Sequence, residues 1–170
     1  IQCLKDLGLN DMEFCAVHFK PDATSEDFAH VKETIEQAGI RVPCFGVEGF
    51  SADEAANRAK FEFAKALGVD VLTADPTPDS FDNLDRLCEE FDVRIAIHNH
   101  GPGARYDIAT DTLKAVEGHS PLIGACVDTG HALRSNEQPH EVIEALGSRV
   151  ISLHLKDWKI GGEEQILSLI

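Results

Sequence analysis

At 170 residues with 43% apolar content, the chain has the size and hydrophobicity of one globular domain with a buried core. No run approaches the roughly 18 apolar residues that a membrane span needs. A formal net charge of -15 disfavours nucleic acid as a partner, since that affinity rests on Lys and Arg meeting phosphates.

Strand-like runs begin near Met12, Ile40, Val69, Val93, Leu122 and Val150, about 25 to 30 residues apart, with amphipathic stretches between them. That rhythm is β/α repetition, and it predicts parallel strands. Thr24-Ser25-Glu26-Asp27 and Ser51-Ala52-Asp53-Glu54 read as capping boxes, and Gly39 and Gly68 stand where left-handed C-terminal caps belong. Between the second box and Gly68, residues Ala55, Ala59, Phe63, Ala66 and Leu67 fall on one helical face. Further helices are predicted over residues 80–91, 108–117 and 139–146. No linker divides the chain, so a single domain over 1–170 is expected, and no Gly-rich dinucleotide fingerprint follows any strand. The five cysteines form an odd set without C-x-x-C and read as reduced core thiols. No targeting pattern follows Ile1, and a cytoplasmic location is the expectation.

Three successive strands end in metal-competent side chains: Val93 to His98, Ile123 to Asp128, and Val150 to His154. Side chains alternate along a strand, so Ala96 and His98 share one face while Ile95 and Ile97 take the other. The same parity groups Gly124, Cys126 and Asp128, and then Val150, Ser152 and His154, with Ile151, Leu153 and Leu155 opposite. All three candidate ligands thus lie on the side that carries small residues. One such residue is ordinary as a satisfied strand-end histidine or a helix-capping aspartate. Three with matched parity, at the strand ends where parallel α/β folds place their catalytic centres, favour a divalent cation held by His98, Asp128 and His154.

Asp128-Thr129-Gly130-His131, followed by His154-Leu155-Lys156-Asp157, resembles the paired motifs of the sugar phosphate isomerase/epimerase superfamily, whose members have a xylose-isomerase-like TIM barrel. The resemblance covers essentially the whole chain. It implies an α/β fold of the (β/α)8 type, incomplete here, with strands 2 to 7 present and the first and eighth missing. It also implies that Asp128 and His154 are metal ligands, that His131 touches a substrate oxygen, and that the strand ending at His98 adds a ligand. In many relatives this last position is a glutamate, and its replacement by His98 exchanges a carboxylate for an imidazole that titrates nearer neutrality. The family's closing glutamate is not matched either: Glu163 and Glu164 lie in the tail without its motif.

The activity implied is metal-dependent isomerisation or epimerisation of a small carbohydrate or keto sugar by proton abstraction beside a carbonyl. The cofactor is a divalent ion (Mn, Zn, Co, Fe or Mg). His98, His131 and Lys156 are the catalytic candidates; His100, His131 and Glu48 are the substrate-binding candidates. A dehydratase of the inosose or dehydroshikimate type shares the pocket and the first step, and a carbohydrate-binding relic without turnover is the non-enzymatic alternative. Unpaired sheet edges would leave the chain poorly stable in isolation or favour association with a partner, such as a second copy.

Overall fold

A computed structural model describes residues 1–158 and the strand Leu167–Leu169; Glu163 and Glu164 lie outside the described residues. The chain divides into two compact units, Ile1–Arg94 and Ile95–Ile170. Among the described residues, no helix is long and apolar enough to cross a membrane.

The N-terminal unit opens with a short helix α1 (Gln2–Asp6) and continues through α2 (Glu26–Ala38), β1 (Cys44–Phe50), α3 (Glu54–Leu67), β2 (Val71–Pro76) and α4 (Phe81–Phe91). Strands β1 and β2 pair in parallel, as β/α repetition requires. The strand expected near Met12 is reduced to two isolated parallel bridges, Asp11 with Arg41 and Phe14 with Phe45. Pro43 is the physical reason. The ladder runs from Arg41 N–H to the Asn10 carbonyl and from Met12 N–H to the Arg41 carbonyl, and the next rung would need an amide hydrogen that Pro43 lacks. The same residue delays β1 from the predicted Ile40 to Cys44.

Gly39 and Gly68 end α2 and α3 in the left-handed conformation at φ 66° and 78°, as the sequence predicts. The start of α3 differs, because its N-cap is Asp53, whose carboxylate accepts from Ala56 N–H, and Ser51 lies outside the helix. The buried stripe differs too: Ala55 and Ala59 are exposed, and Asn57, Phe61, Phe63 and Ala64 face inward. Phe61 and Phe63 carry far more apolar area than the alanines, about 1.5–3 kcal/mol each on full burial, so they set the helix's rotation. Asn57 tolerates burial because it donates to the Ser51 carbonyl and to Asn83 Oδ1. Phe63 in turn packs within a ring cluster of Phe19, Phe28 and Phe45.

The C-terminal unit holds β3 (Arg94–His98), α5 (Ala109–Ala115), β4 (Ile123–Asp128), α6 (Thr129–Arg134), α7 (Pro139–Leu146), β5 (Val150–His154), and the antiparallel pair β6 (Lys156–Trp158) and β7 (Leu167–Leu169). Strands β3, β4 and β5 pair in parallel in that order. One face of β4 packs Ala125 and Val127 against Ala109, Ala132, Val142 and Leu146 of the helices, and that apolar layer fixes which side chains are left for the opposite face.

Val150 corrects the predicted alternation. It pairs with Ala125 and joins the helix-side core, whereas Ser152 pairs with Cys126, so Ile151 is an extra residue in β5. The bulge turns Ile151 toward Gly124, and from Ser152 onward the predicted parity holds. Leu153 and Leu155 are 44% and 57% exposed, so the face opposite His154 is not covered as the pattern predicts. Arg149, just before the bulge, donates to the carbonyls of Val116, His119, Ser120 and Ile123 and thereby anchors the start of β5. All five cysteines are free, but only Cys88 and Cys126 are fully buried, so the expectation of core thiols holds for those two.

Candidate metal centre

The C-terminal ends of β3, β4 and β5 deliver His98, Asp128 and His154, one residue each, to a single point: one candidate ligand atom from each lies within 4.8 Å of the others. His98 Nε2 is 2.9 Å from His154 Nδ1 and 3.2 Å from Asp128 Oδ2, and His154 Nδ1 is 3.8 Å from that oxygen. Register explains the meeting. His98 pairs with Cys126 and Asp128 pairs with His154, so the three project from neighbouring rungs on the same face.

Asp128 uses its two oxygens differently. Oδ1 accepts the His131 N–H and caps α6, the structural role an aspartate at a strand end ordinarily has. Oδ2 faces the histidines, with Lys156 Nζ at 2.6 Å. Among the described residues Oδ2 is buried without an aligned hydrogen-bond donor, and so is His98 Nδ1. A fully buried anionic oxygen beside two imidazoles, balanced by charge rather than by aligned donors, fits a divalent cation. Two nitrogens and one carboxylate suit Zn, Fe, Co or Mn better than Mg or Ca, which prefer all-oxygen sets.

Two backbone clamps hold these strand ends. The Asn99 side chain donates to the Asp128 carbonyl at 3.1 Å and accepts the Asp128 N–H at 2.7 Å, fastening the end of β3 to the end of β4. Thr129 Oγ1 donates to the Lys156 carbonyl at 2.6 Å and accepts its N–H at 2.8 Å, fastening the start of α6 to β6. Sequence reasoning gave neither residue a role. The one available signal was position: each follows a ligand directly.

The remaining candidates separate by unit. His100 and His131 lie beside His98, with ring centroids 4.6 and 5.7 Å from it, so these imidazoles and Lys156 surround the ligand set. Glu48 belongs to the N-terminal unit, where it is buried on β1 and pairs with Lys60 at 3.3 Å.

Burial acts on Asp128 by raising its pKa, but the polar groups of His98 and Lys156 close to Oδ2, the His131 amide on Oδ1 and the Lys156 charge outweigh it and hold the carboxyl well below the usual range. His131 moves the other way. Burial, joined by the charges of His98, Lys156 and Arg134 and opposed by Asp128, lowers its pKa from 6.5 to about 4. Between those values the unfolded chain binds a proton at His131 that the folded chain does not, so stability rises with pH across that window and falls on acidification. His131→Asn in metal-free protein is expected to flatten the stability profile between pH 4 and 6.5 in denaturant titrations at a series of pH values.

A family model of the xylose isomerase-like TIM barrel matches residues 1–165. The chain belongs to that family. Within its range, an inosose dehydratase of Clostridium beijerinckii (strain ATCC 51743 / NCIMB 8052) is 32% identical over 165 residues, which cover 90% of this chain and 53% of the dehydratase. The chain thus spans about half the length of the curated relatives it matches over most of its residues. Two solved structures share the fold at low identity. The IOLI protein with a binding zinc atom superposes with a TM-score of 0.68 at 16% identity, over 93% of this chain and 66% of that one. The 3-keto-D-glucoside 4-epimerase of E. coli gives 0.72 at 12% identity, over 92% of this chain and 72% of its own. Membership in this family agrees with the α/β fold class predicted from the strand rhythm and the paired motifs.

Proposed function

We propose that this chain carries the metal centre of a carbohydrate-modifying enzyme that removes a proton from a carbon beside a carbonyl group, as an isomerase or epimerase of a keto sugar. The observation that carries this reading is the convergence of His98, Asp128 and His154, with Asp128 Oδ2 buried between the two imidazoles and lacking an aligned partner. A divalent cation held there would act as a Lewis acid toward adjacent carbonyl and hydroxyl oxygens.

The chain's own groups supply the rest. His98 is committed to the ligand set, which makes His100, 4.6 Å from it between ring centroids, the base candidate for the proton on carbon. His131, held neutral, donates a hydrogen bond to a substrate oxygen, and the Lys156 ammonium balances negative charge that develops on oxygen. The family's metal-binding glutamate is replaced by His98, so proton transfer here falls to imidazole, whose ordinary pKa lies near neutrality.

The dehydratase reading shares every step up to the fate of the carbanion, and the 32% identical inosose dehydratase favours it. The two diverge on whether the carbanion regains a proton or expels a neighbouring hydroxyl as water. Metal analysis after reconstitution with zinc or manganese is expected to give close to one equivalent; under a tenth of an equivalent would overturn the reading. Loaded protein given a panel of keto sugars and ketocyclitols in deuterium oxide would incorporate deuterium at carbon without mass loss if it is an isomerase or epimerase. Loss of water marks a dehydratase. A loaded protein that binds a sugar and does neither is a binding relic.

A further inference from the structure

We propose that Arg134 is a positioning residue that fixes His131 in its Nε2–H tautomer. Arg134 Nη1 lies 2.9 Å from His131 Nδ1. A guanidinium has five N–H donors, no acceptor, and stays protonated in proteins, so this contact is a hydrogen bond only when Nδ1 presents a lone pair. The imidazole's single proton is then on Nε2, across the ring from Arg134. Asn, Gln or water at this place could donate or accept and would leave the tautomer open; arginine cannot.

The contact is supported from three sides. Arg134 ends α6, three residues after His131, so the two side chains share a helix face. The guanidinium carbon sits 5.0 Å from the centre of the Trp158 ring, a cation–π contact that restrains the long side chain. Gly101, at φ 85°, borders the pair from the third side: a Cβ there would stand at van der Waals contact, 3.4 Å from His131 Nδ1 and 3.5 Å from Arg134 Cζ. His131 is itself tied to the ligand set through its backbone, which donates to Asp128 Oδ1. The ring's orientation, its proton and its distance from the centre are therefore set by three separate contacts.

The consequence is a neutral imidazole whose only N–H is a donor at Nε2, an electrophile suited to polarising a carbonyl oxygen. That substrate role rests on the proposed function above; the tautomer does not.

Long-range proton–nitrogen correlation on protein labelled with 15N-histidine tests the assignment at neutral pH, with the His131 signals identified by their loss in His131→Gln. The wild type is expected to show an unprotonated Nδ1 and a protonated Nε2. Arg134→Lys, which still donates, should keep that pattern. Arg134→Glu, which accepts, should move the proton to Nδ1 and exchange the two nitrogen signals. A wild-type His131 protonated at Nδ1 overturns the proposal, and so does an Arg134→Glu variant that folds and keeps the wild-type pattern. If that variant does not fold, the wild-type and Arg134→Lys spectra decide, and a lysine variant with its proton on Nδ1 counts against it. Zinc uptake is a separate readout: the expected spectra in a protein that takes up no zinc would sink the proposed function and leave Arg134's role intact.

Discussion

Asp128→Asn is expected to lose zinc affinity by at least about 100-fold, since losing contacts outside a ligand set already costs 10–100-fold and this change removes the set's only carboxylate. The substitution separates the two jobs of the side chain. An asparagine oxygen can still accept the His131 N–H, so the cap on α6 survives. What disappears is the charge opposite Lys156, whose side chain is 19% exposed and sits 2.6 Å from Oδ2. Breaking a buried pair from one side leaves an uncompensated charge, and about 3 kcal/mol of stability should go with it in metal-free protein. The deficit should be present in full above the ordinary carboxylate range and shrink only as pH falls toward Asp128's depressed pKa, where the wild type loses the same charge. Calorimetric zinc titration and denaturant melts measure the two effects independently. Unchanged zinc affinity in the asparagine variant would remove Asp128 from the ligand set.

Gly124→Ala is expected to cost about 3 kcal/mol or more and to weaken zinc binding from a distance. A Cβ at residue 124 would stand 2.1 Å from the Arg149 carbonyl oxygen and 3.0 Å from Ile151 Cδ1. The isoleucine methyl can rotate away. The carbonyl cannot, because the Arg149 guanidinium is bound to four other carbonyls that fix the chain entering β5. Relief requires β4 and β5 to part, and that pairing aligns Asp128 with His154. Thermal or denaturant melts together with zinc titration check both halves. Stability within about 0.5 kcal/mol of the wild type would show that this approach of the strands is softer than the contacts imply.

These two residues illustrate how unequally the centre was written into the sequence. Asp128 was legible because a charged side chain at the end of an otherwise apolar strand breaks the local pattern, and because parity gave it the same face as His98 and His154. Gly124 was legible only as a small residue on that face; its necessity comes from Arg149, which reaches it through the turn between α7 and β5. The Ile151 bulge was hidden for a related reason. An extra residue in a strand is defined against its partner, and alternation within one strand carries no record of the neighbour's register. Asn99 and Thr129 escaped notice because their side chains clamp backbone from remote segments, while locally each reads as an ordinary polar residue after a strand. Pro43 could have been weighed as a ladder breaker, since it is visible in the sequence, but which rung it removes depends on pairing with Asn10 and Met12.

By itself the sequence determined the β/α rhythm, the faces of the strand ends and the set of imidazole and carboxylate groups, because periodicity and residue chemistry are local properties. Only the tertiary structure decided which atoms meet: His98 beside His154 across 56 residues of chain, Lys156 against Asp128, and Arg134 on the Nδ1 side of His131. The first two pairings depend on strand register, on one bulge and on two side-chain clamps, and each arises between segments that have no way to signal their distance along the chain.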